Sequence, residues 1–238
     1  MAHGKVWLVG AGPGAIDLIT LRGARLLGEA DAVLYDALVT PEMLTLCPQA
    51  ELISVGKRSG QRSTAQAHIN ALLVDAAQRY AKVVRLKGGD PMLFGRADEE
   101  LRALEEAGID YEIVPGITAA LAGAAAAKHP LTRRGIARSV AFFTSATAPG
   151  EPEHVTLPDC DTLVQYMGGQ QAMETAKRLL QRGKPADTPV LAIENVSLAN
   201  QRVTRLTLRQ MALGLPACTG PVLVMMGEAL RHRHVSAP

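Results

Sequence analysis

Five short apolar runs in the first half of the chain each end in a loop that carries glycine or a charged side chain. This alternation limits the fold more than any other feature. Val6–Val9 runs into Gly10-Ala11-Gly12-Pro13-Gly14, and Ala32–Tyr35 ends at Asp36. Leu52–Val55 ends in Gly56-Lys57-Arg58, Lys82–Leu86 runs into Gly88-Gly89-Asp90-Pro91, and Tyr111–Val114 ends at Pro115-Gly116-Ile117-Thr118. Helical patterns lie between them: Leu18, Leu21, Leu26 and Leu27, then Thr64 to Arg79 with Thr64 as N-cap, then Ala97 to Ala107. Strands alternating with helices predict an α/β fold with a parallel sheet covered on both faces. Ligands of such sheets bind beyond the carboxyl ends of the strands, where all five loops fall.

The loop RLKGGDPMLFGR, Arg85 to Arg96, is the most informative of the five. Gly88 and Gly89 admit positive φ and a close approach to the backbone. Pro91 pushes Asp90 towards an extended conformation. Gly-Gly-Asp-Pro is also good turn chemistry, so the residues alone leave a binding loop and a surface turn both open.

After Thr118 an alanine-rich helix, Ala119 to Ala127, stops near Pro130. A second series of strand candidates follows: Ser139–Thr144, Thr162–Met167, Val190–Glu194, Arg202–Thr207 and Val222–Met226, with a helix from about Gln171 to Arg182 ended by Gly183. This half holds more strand and less helix, which leaves room for a mixed sheet. The expected organisation is a first α/β domain over residues 1–115, a connecting helix and loop over 116–137, and a second α/β domain over 138–238. A chain of 238 residues accommodates two domains comfortably.

Aromatic residues are only 3% of the chain, so its cores are aliphatic. That poverty argues against nucleic-acid modules that stack bases on Phe, Tyr or Trp. No Asp or Glu occurs between Glu112 and Glu151, yet Lys128, Arg133, Arg134 and Arg138 lie there; a second acid-free run, between Glu51 and Asp75, holds Lys57, Arg58 and Arg62. Two such runs suggest an anionic partner, against the plainer reading of solvated faces. Cys47, Cys160 and Cys218 are far apart, without metal-ligand spacing, as in a reduced cytosolic protein. The six histidines form no convincing ligand set, and no metal is expected. No window reaches the ~18 apolar residues of a membrane span, and the N-terminus lacks the apolar core of a signal peptide. A cytoplasmic protein with no membrane or nucleic-acid partner is expected.

Gly10-x-Gly12-x-x-Ala15 follows a strand, and Asp36 ends the next one, 24 residues after Gly12. This approaches a Rossmann dinucleotide fingerprint and keeps a nicotinamide- or flavin-dependent oxidoreductase as an alternative. Pro13-Gly14 counts against it, because the helix there should open directly beneath the pyrophosphate.

The loops VGAGPG, YDALVT, VGKRSG, LKGGDPMLFGR and VPGITAA, taken in order, resemble those of the uroporphyrinogen III C-methyltransferases of the tetrapyrrole methylase superfamily. The resemblance continues through PLTRRGIARS, QYMGG, IENVS and PVLVMMG and covers essentially the whole chain. It implies two α/β domains with the active site in the cleft between them, and a homodimer. The length matches the stand-alone enzyme rather than the fused sirohaem synthases. The implied activity is transfer of two methyl groups from S-adenosyl-L-methionine to uroporphyrinogen III. The product is precorrin-2, formed through precorrin-1, for sirohaem, cobalamin or haem d1, and S-adenosyl-L-homocysteine leaves. A methylase of a later precorrin is the rival within the superfamily.

By the same resemblance, Pro13, Gly88, Gly89, Asp90, Leu93, Thr118, Ala119, Met167 and Val196 match the donor-binding positions. Asp36 matches the proton acceptor and Lys57 the proton donor. Arg96 and Glu99 match residues near the substrate, although residues three apart on a helix also suit a plain ion pair. Arg134, after PLT, matches a clamp for substrate carboxylates, a role suited to the guanidinium fork. The chain departs from the family pattern at Ala15 and Ile16 (usually Asp-Pro), Ala97 (Gly), Arg133 (His), Thr144-Ser145-Ala146 (Thr-Gly-His) and Val196 (Gly). At Val196 the β-branched side chain is expected to narrow the donor pocket.

Overall fold

The structure, a computed structural model, describes residues 4–56, 66–145 and 156–232. The chain divides into two compact units, Met1–Thr118 and Ala119–Pro238. The alanine-rich helix expected in a connecting segment therefore groups with the second unit.

The first unit holds strands β1 (Lys5–Gly10), β2 (Ala32–Tyr35), β3 (Glu51–Ser54), β4 (Lys82–Lys87) and β5 (Tyr111–Val114). Its helices are α1 (Leu21–Glu29), α2 (Pro41–Leu44), α3 (Gln66–Arg79) and α4 (Ala97–Glu106). The sheet order is β3-β2-β4-β1-β5, and every pairing is parallel. Both faces are covered, and the pleat sorts the side chains between them. Val9, Val33, Val84 and Leu86 pack with Leu26, Leu27 and Met43 on one side. Leu8, Leu34 and Val83 pack with Leu73 and Leu104 on the other.

Two expectations change here. The helical pattern read from Leu18 onwards begins only at Leu21, because Ile16–Leu18 is a separate 3-10 turn and Thr20 caps α1 by accepting from Gly23 N at 3.1 Å. No helix opens at the glycines of the first loop. In addition, β4 lies between β1 and β2, which a Rossmann sheet keeps adjacent. The dinucleotide reading of Gly10–Ala15 and Asp36 therefore lacks both its helix N-terminus and its strand order.

The second unit holds α5 (Ala119–Ala127), β6 (Val140–Thr144), β7 (Thr162–Tyr166), α6 (Ala172–Gln181), β8 (Pro189–Glu194), β9 (Arg202–Thr207), α7 (Leu208–Met211) and β10 (Val222–Gly227). Its sheet order is β6-β7-β10-β8-β9 and the sheet is mixed: β6 and β7 are parallel, and the other pairs are antiparallel. Leu163, Val190, Val222 and Val224 pack on Ala176, Leu179 and Met211 to form its main core. On the other face Gly123 of α5 lets Met225, Ile193 and Leu223 approach. Among the described residues no helix is long and apolar enough to cross a membrane.

Candidate active site

Three of the five loops of the first unit are tied into one structure at the centre of its sheet. Gly89 N donates to Gly12 O at 2.7 Å and Gly12 N to Gly89 O at 3.2 Å, which joins the loops after β1 and β4. The loop after β5 joins them through Asp90, whose Oδ2 accepts from Gly116 N at 2.9 Å. Asp90 Oδ1 accepts from Met92 N at 2.8 Å and turns the chain at Pro91. Small residues are required where these loops cross. A Cβ on Gly10 would lie 2.6 Å from Gly116 Cα, and one on Gly116 would collide with the Gly89 carbonyl oxygen. Gly89 has φ 70°, and the position its Cβ would take is open. The loop thus presents bare backbone at the carboxyl end of β4, beside Asp90. Each Asp90 oxygen has one backbone partner and keeps capacity for a second.

Pro13 is half-buried in the first of these loops, and Leu93 closes the turn by donating from N to Asp90 O at 3.3 Å. Thr118 is the last residue of the first unit and Ala119 the first of α5. Pro13, Gly88, Gly89, Asp90 and Leu93 are therefore brought together with the loop leading to Thr118. Asp36 follows β2, and its Oδ1 accepts from Leu38 N at 2.9 Å. Lys57 lies outside the described residues.

Arg96 and Glu99 form the ion pair that their spacing allows. Arg96 Nε donates to Glu99 Oε1 at 2.7 Å and Nη2 to Oε2 at 2.8 Å, with the side chains 57% and 43% exposed. The hydrogen bond from Arg96 lowers the Glu99 carboxyl from its ordinary value, and the same bond raises the guanidinium. Arg96 sits at φ 54°, and Phe94 two residues earlier at φ 52°. Left-handed backbone at two non-glycine residues costs each about 1 kcal/mol or more, and such outliers gather at functional sites.

In the second unit the loops after β7 and β8 flank the start of β10. Gly168 N donates to Val222 O and Asn195 N to Pro221 O, both at 3.0 Å. Met167, 52% exposed, has φ 53°; Asn195 and Ser197 have φ 53° and 63° on either side of Val196. Met167 and Val196 thus lie at the same end of the sheet, either side of β10, with left-handed backbone at Met167 itself and at both neighbours of Val196. Val196 itself is buried, its side chain turned into the protein. Glu194 secures this corner by accepting from Thr219 N at 2.6 Å, Gly220 N at 2.8 Å and Arg202 Nε at 2.7 Å. The Gly220 amide first, then the Arg202 guanidinium and the Thr219 amide, hold its carboxyl at about 2. Arg134 is exposed in a turn closed by Arg133 N to Ala137 O at 2.9 Å and the reverse bond at 2.8 Å.

One group at the site carries no motif in the sequence. Arg85, Lys87 and Glu100 form a buried cluster beneath the central loop, with Arg85 Nε to Glu100 Oε1 at 2.9 Å and Lys87 Nζ to Glu100 Oε2 at 2.7 Å. A signal was available. Arg85 and Lys87 alternate on one face of a central strand, and Glu100 holds the helix position between the core residues Ala97 and Leu104.

The profile of the Tetrapyrrole (Corrin/Porphyrin) Methylases matches residues 5–212. The chain belongs to this family. It is 47% identical over 232 residues to the uroporphyrinogen-III C-methyltransferase of Pseudomonas aeruginosa, covering 96% of this chain and 95% of that one. It is 45% identical to the sirohaem synthase of Baumannia cicadellinicola over 96% of this chain, a match that spans 50% of that longer protein. Among solved structures, the uroporphyrin-III C-methyltransferase of Thermus thermophilus complexed with S-adenosylhomocysteine superposes with a TM-score of 0.83 at 39% identity, covering 96% of this chain and 94% of that one. The two-sheet α/β architecture is that of this tetrapyrrole methylase.

Proposed function

We propose that the chain methylates uroporphyrinogen III at two pyrrole carbons with S-adenosyl-L-methionine as donor, giving precorrin-2 and S-adenosyl-L-homocysteine. One observation carries this reading: the full-length match to the Pseudomonas methyltransferase falls on a chain whose glycine loops leave open backbone beside Asp90. The residues present suit the donor. Gly89 offers uncovered backbone, and Asp90 has free acceptor capacity for a ribose hydroxyl or the ammonium. Pro13, Leu93, Thr118, Ala119, Met167 and Val196 are proposed as further donor contacts, Pro13 and Leu93 being half-buried.

The donor supplies an electrophilic sulfonium methyl. A pyrrole carbon attacks it in line, the carbon–sulfur bond breaks as the carbon–carbon bond forms, and a proton leaves the tetrapyrrole. The protein's share is positioning, which accounts for a loop system tied by paired backbone bonds. Asp36 accepts the proton in this reading and passes it to solvent, and Lys57 is proposed as the proton donor for tautomerisation of the methylated macrocycle, regaining its proton from solvent. Arg96, oriented by Glu99, and Arg134 are proposed to hold substrate carboxylates. A homodimer is part of the proposal, to be checked by light scattering.

The test is an anaerobic assay with freshly reduced uroporphyrinogen III and S-adenosyl-L-methionine, read by product mass. A gain of two methyl groups, lost in Asp90→Ala, is expected. Donor binding without any methyl transfer to this tetrapyrrole would refute the substrate assignment.

A further inference from the structure

The start of α5 poses a hydrogen-bonding problem. Amides in the first turn of a helix have no partner within the helix. Ala120, the second residue of α5, is fully buried, so water does not reach its N–H. A buried amide without a partner is costly. Tyr166, the last residue of β7, supplies the partner: its phenol oxygen accepts from Ala120 N at 3.2 Å.

The sheet of the second unit aims the phenol there. Leu163 belongs to the main core, so alternation puts Val164 and Tyr166 on the other face. Val164 pairs with Met225, and Met225 is one of the residues that Gly123 of α5 admits. Tyr166 therefore stands on the α5 side of the sheet. Phe142 of β6 braces its ring edge to face, with centroids 6.0 Å apart and 67° between the planes. Met167 follows directly, exposed and at φ 53°. Such a backbone persists only where its surroundings over-determine it. Both neighbours of Met167 are tied down. Tyr166 pairs with Thr144 in the sheet and holds the Ala120 amide. Gly168 N donates to Val222 O at 3.0 Å, and Gly168 O accepts from Ala172 N at 2.8 Å. The Tyr166 hydrogen bond thus joins the residue before Met167 to the residue after Ala119, and both Met167 and Ala119 are proposed donor contacts.

We infer that Tyr166 is a positioning residue for the methyl donor: its hydroxyl holds the first turn of α5 to the end of β7 and so fixes the spacing of Ala119 and Met167. This rests on the donor reading proposed above. It adds a residue whose hydroxyl oxygen is engaged by the protein's own backbone, and it gives the left-handed Met167 a cause.

The test is binding of S-adenosylhomocysteine, by calorimetry, to the wild type and to Tyr166→Phe, which removes the hydroxyl and keeps the ring beside Phe142. A loss of about tenfold in affinity is expected, as for one hydrogen bond. The KM for S-adenosyl-L-methionine is expected to rise by the same factor while the KM for uroporphyrinogen III stays unchanged. An orphaned amide lowers the Tm whether or not the hydroxyl positions the donor, so affinity is the deciding readout. A lowered Tm with wild-type affinity overturns the proposal. Met167→Ala supplies a second check. In that background Tyr166→Phe is expected to cost less affinity than in the wild type, because one of the two contacts it spaces is gone. Fully additive losses overturn the proposal. If Tyr166→Phe does not fold, hydrogen exchange of the Ala120 amide is followed in the wild type. S-adenosylhomocysteine is expected to slow it about tenfold, and unchanged exchange overturns the proposal. A wild type that binds no S-adenosylhomocysteine refutes the donor reading itself, whereas wild-type binding that survives Tyr166→Phe undiminished refutes the positioning role alone.

Discussion

Glu99 and Glu100 are consecutive on α4, yet one carboxylate is 43% exposed against Arg96 while the other is sealed between Arg85 and Lys87. The difference comes from the helical repeat. Glu100 falls in line with Ala97 and Leu104 on the buried face, and Glu99 is turned about 100° away. The same pair of charges therefore does different work. In the core, a carboxylate is indispensable because two cations would otherwise be orphaned. At the rim, the pair contributes little to stability and leaves a guanidinium presented to whatever docks there.

The largest expected effect follows from breaking the buried side. Glu100→Ala leaves Arg85 and Lys87 without their anion, and removing one partner of such a group costs about 3–5 kcal/mol. Urea unfolding is the check, and a loss under about 1 kcal/mol would show that the cluster is not structural. Gly116→Ala comes next, since its Cβ meets the Gly89 carbonyl and the Gly10 backbone. Overpacking at that crossing is expected to cost about 1–3 kcal/mol and to weaken donor binding at least tenfold by calorimetry.

The comparison extends to the second unit through Glu194, a carboxylate secured mainly by backbone amides. Its carboxyl is depressed to about 2, so the stability it contributes is present above the ordinary carboxyl range and is lost as the pH falls towards 2. Acid unfolding of Glu194→Gln is expected to show less dependence on pH between about 4 and 2 than the wild type. The smallest effect belongs to the exposed pair. Glu99→Gln is expected to change stability by less than about 1 kcal/mol, and raised salt to erase even that.

Much of this was legible in the chain. The ten strands of the described residues were legible as short runs bounded by turn residues, most of them apolar and buried; β3 is largely exposed and β9 at best half-buried, and both showed through their β-branched and leucine residues instead. The short helices did not show: α7 has a capping box in Thr207 and Gln210 but spans only Leu208–Met211, and α2 only Pro41–Leu44, too short for a helical period to appear. The insertion of β4 between β2 and β1 was not legible, since parallel pairing is non-local and chain order does not dictate strand order. At the site, the Gly88-Gly89-Asp90 loop stood out because glycine and Asp-Pro have few conformational uses. Glu99 and Glu100 did not separate, because two acids in a row look like a solvated helix face. Only the spacing of Ala97 and Leu104 distinguishes them, together with the demand that Arg85 and Lys87 place on a buried strand. Val196, expected to narrow the donor pocket, is buried between Asn195 and Ser197, both with positive φ, a backbone feature that no glycine there announces.

The measurement that separates the two carboxylates most directly is mass-resolved methyl transfer by Arg96→Met at saturating donor, paired with its Tm. A wild-type Tm with product formation reduced about a hundredfold is expected, as for a lost substrate-positioning contact. Wild-type turnover with an unchanged Tm would contradict the assignment of Arg96 and Glu99 to the substrate and reduce them to a surface ion pair.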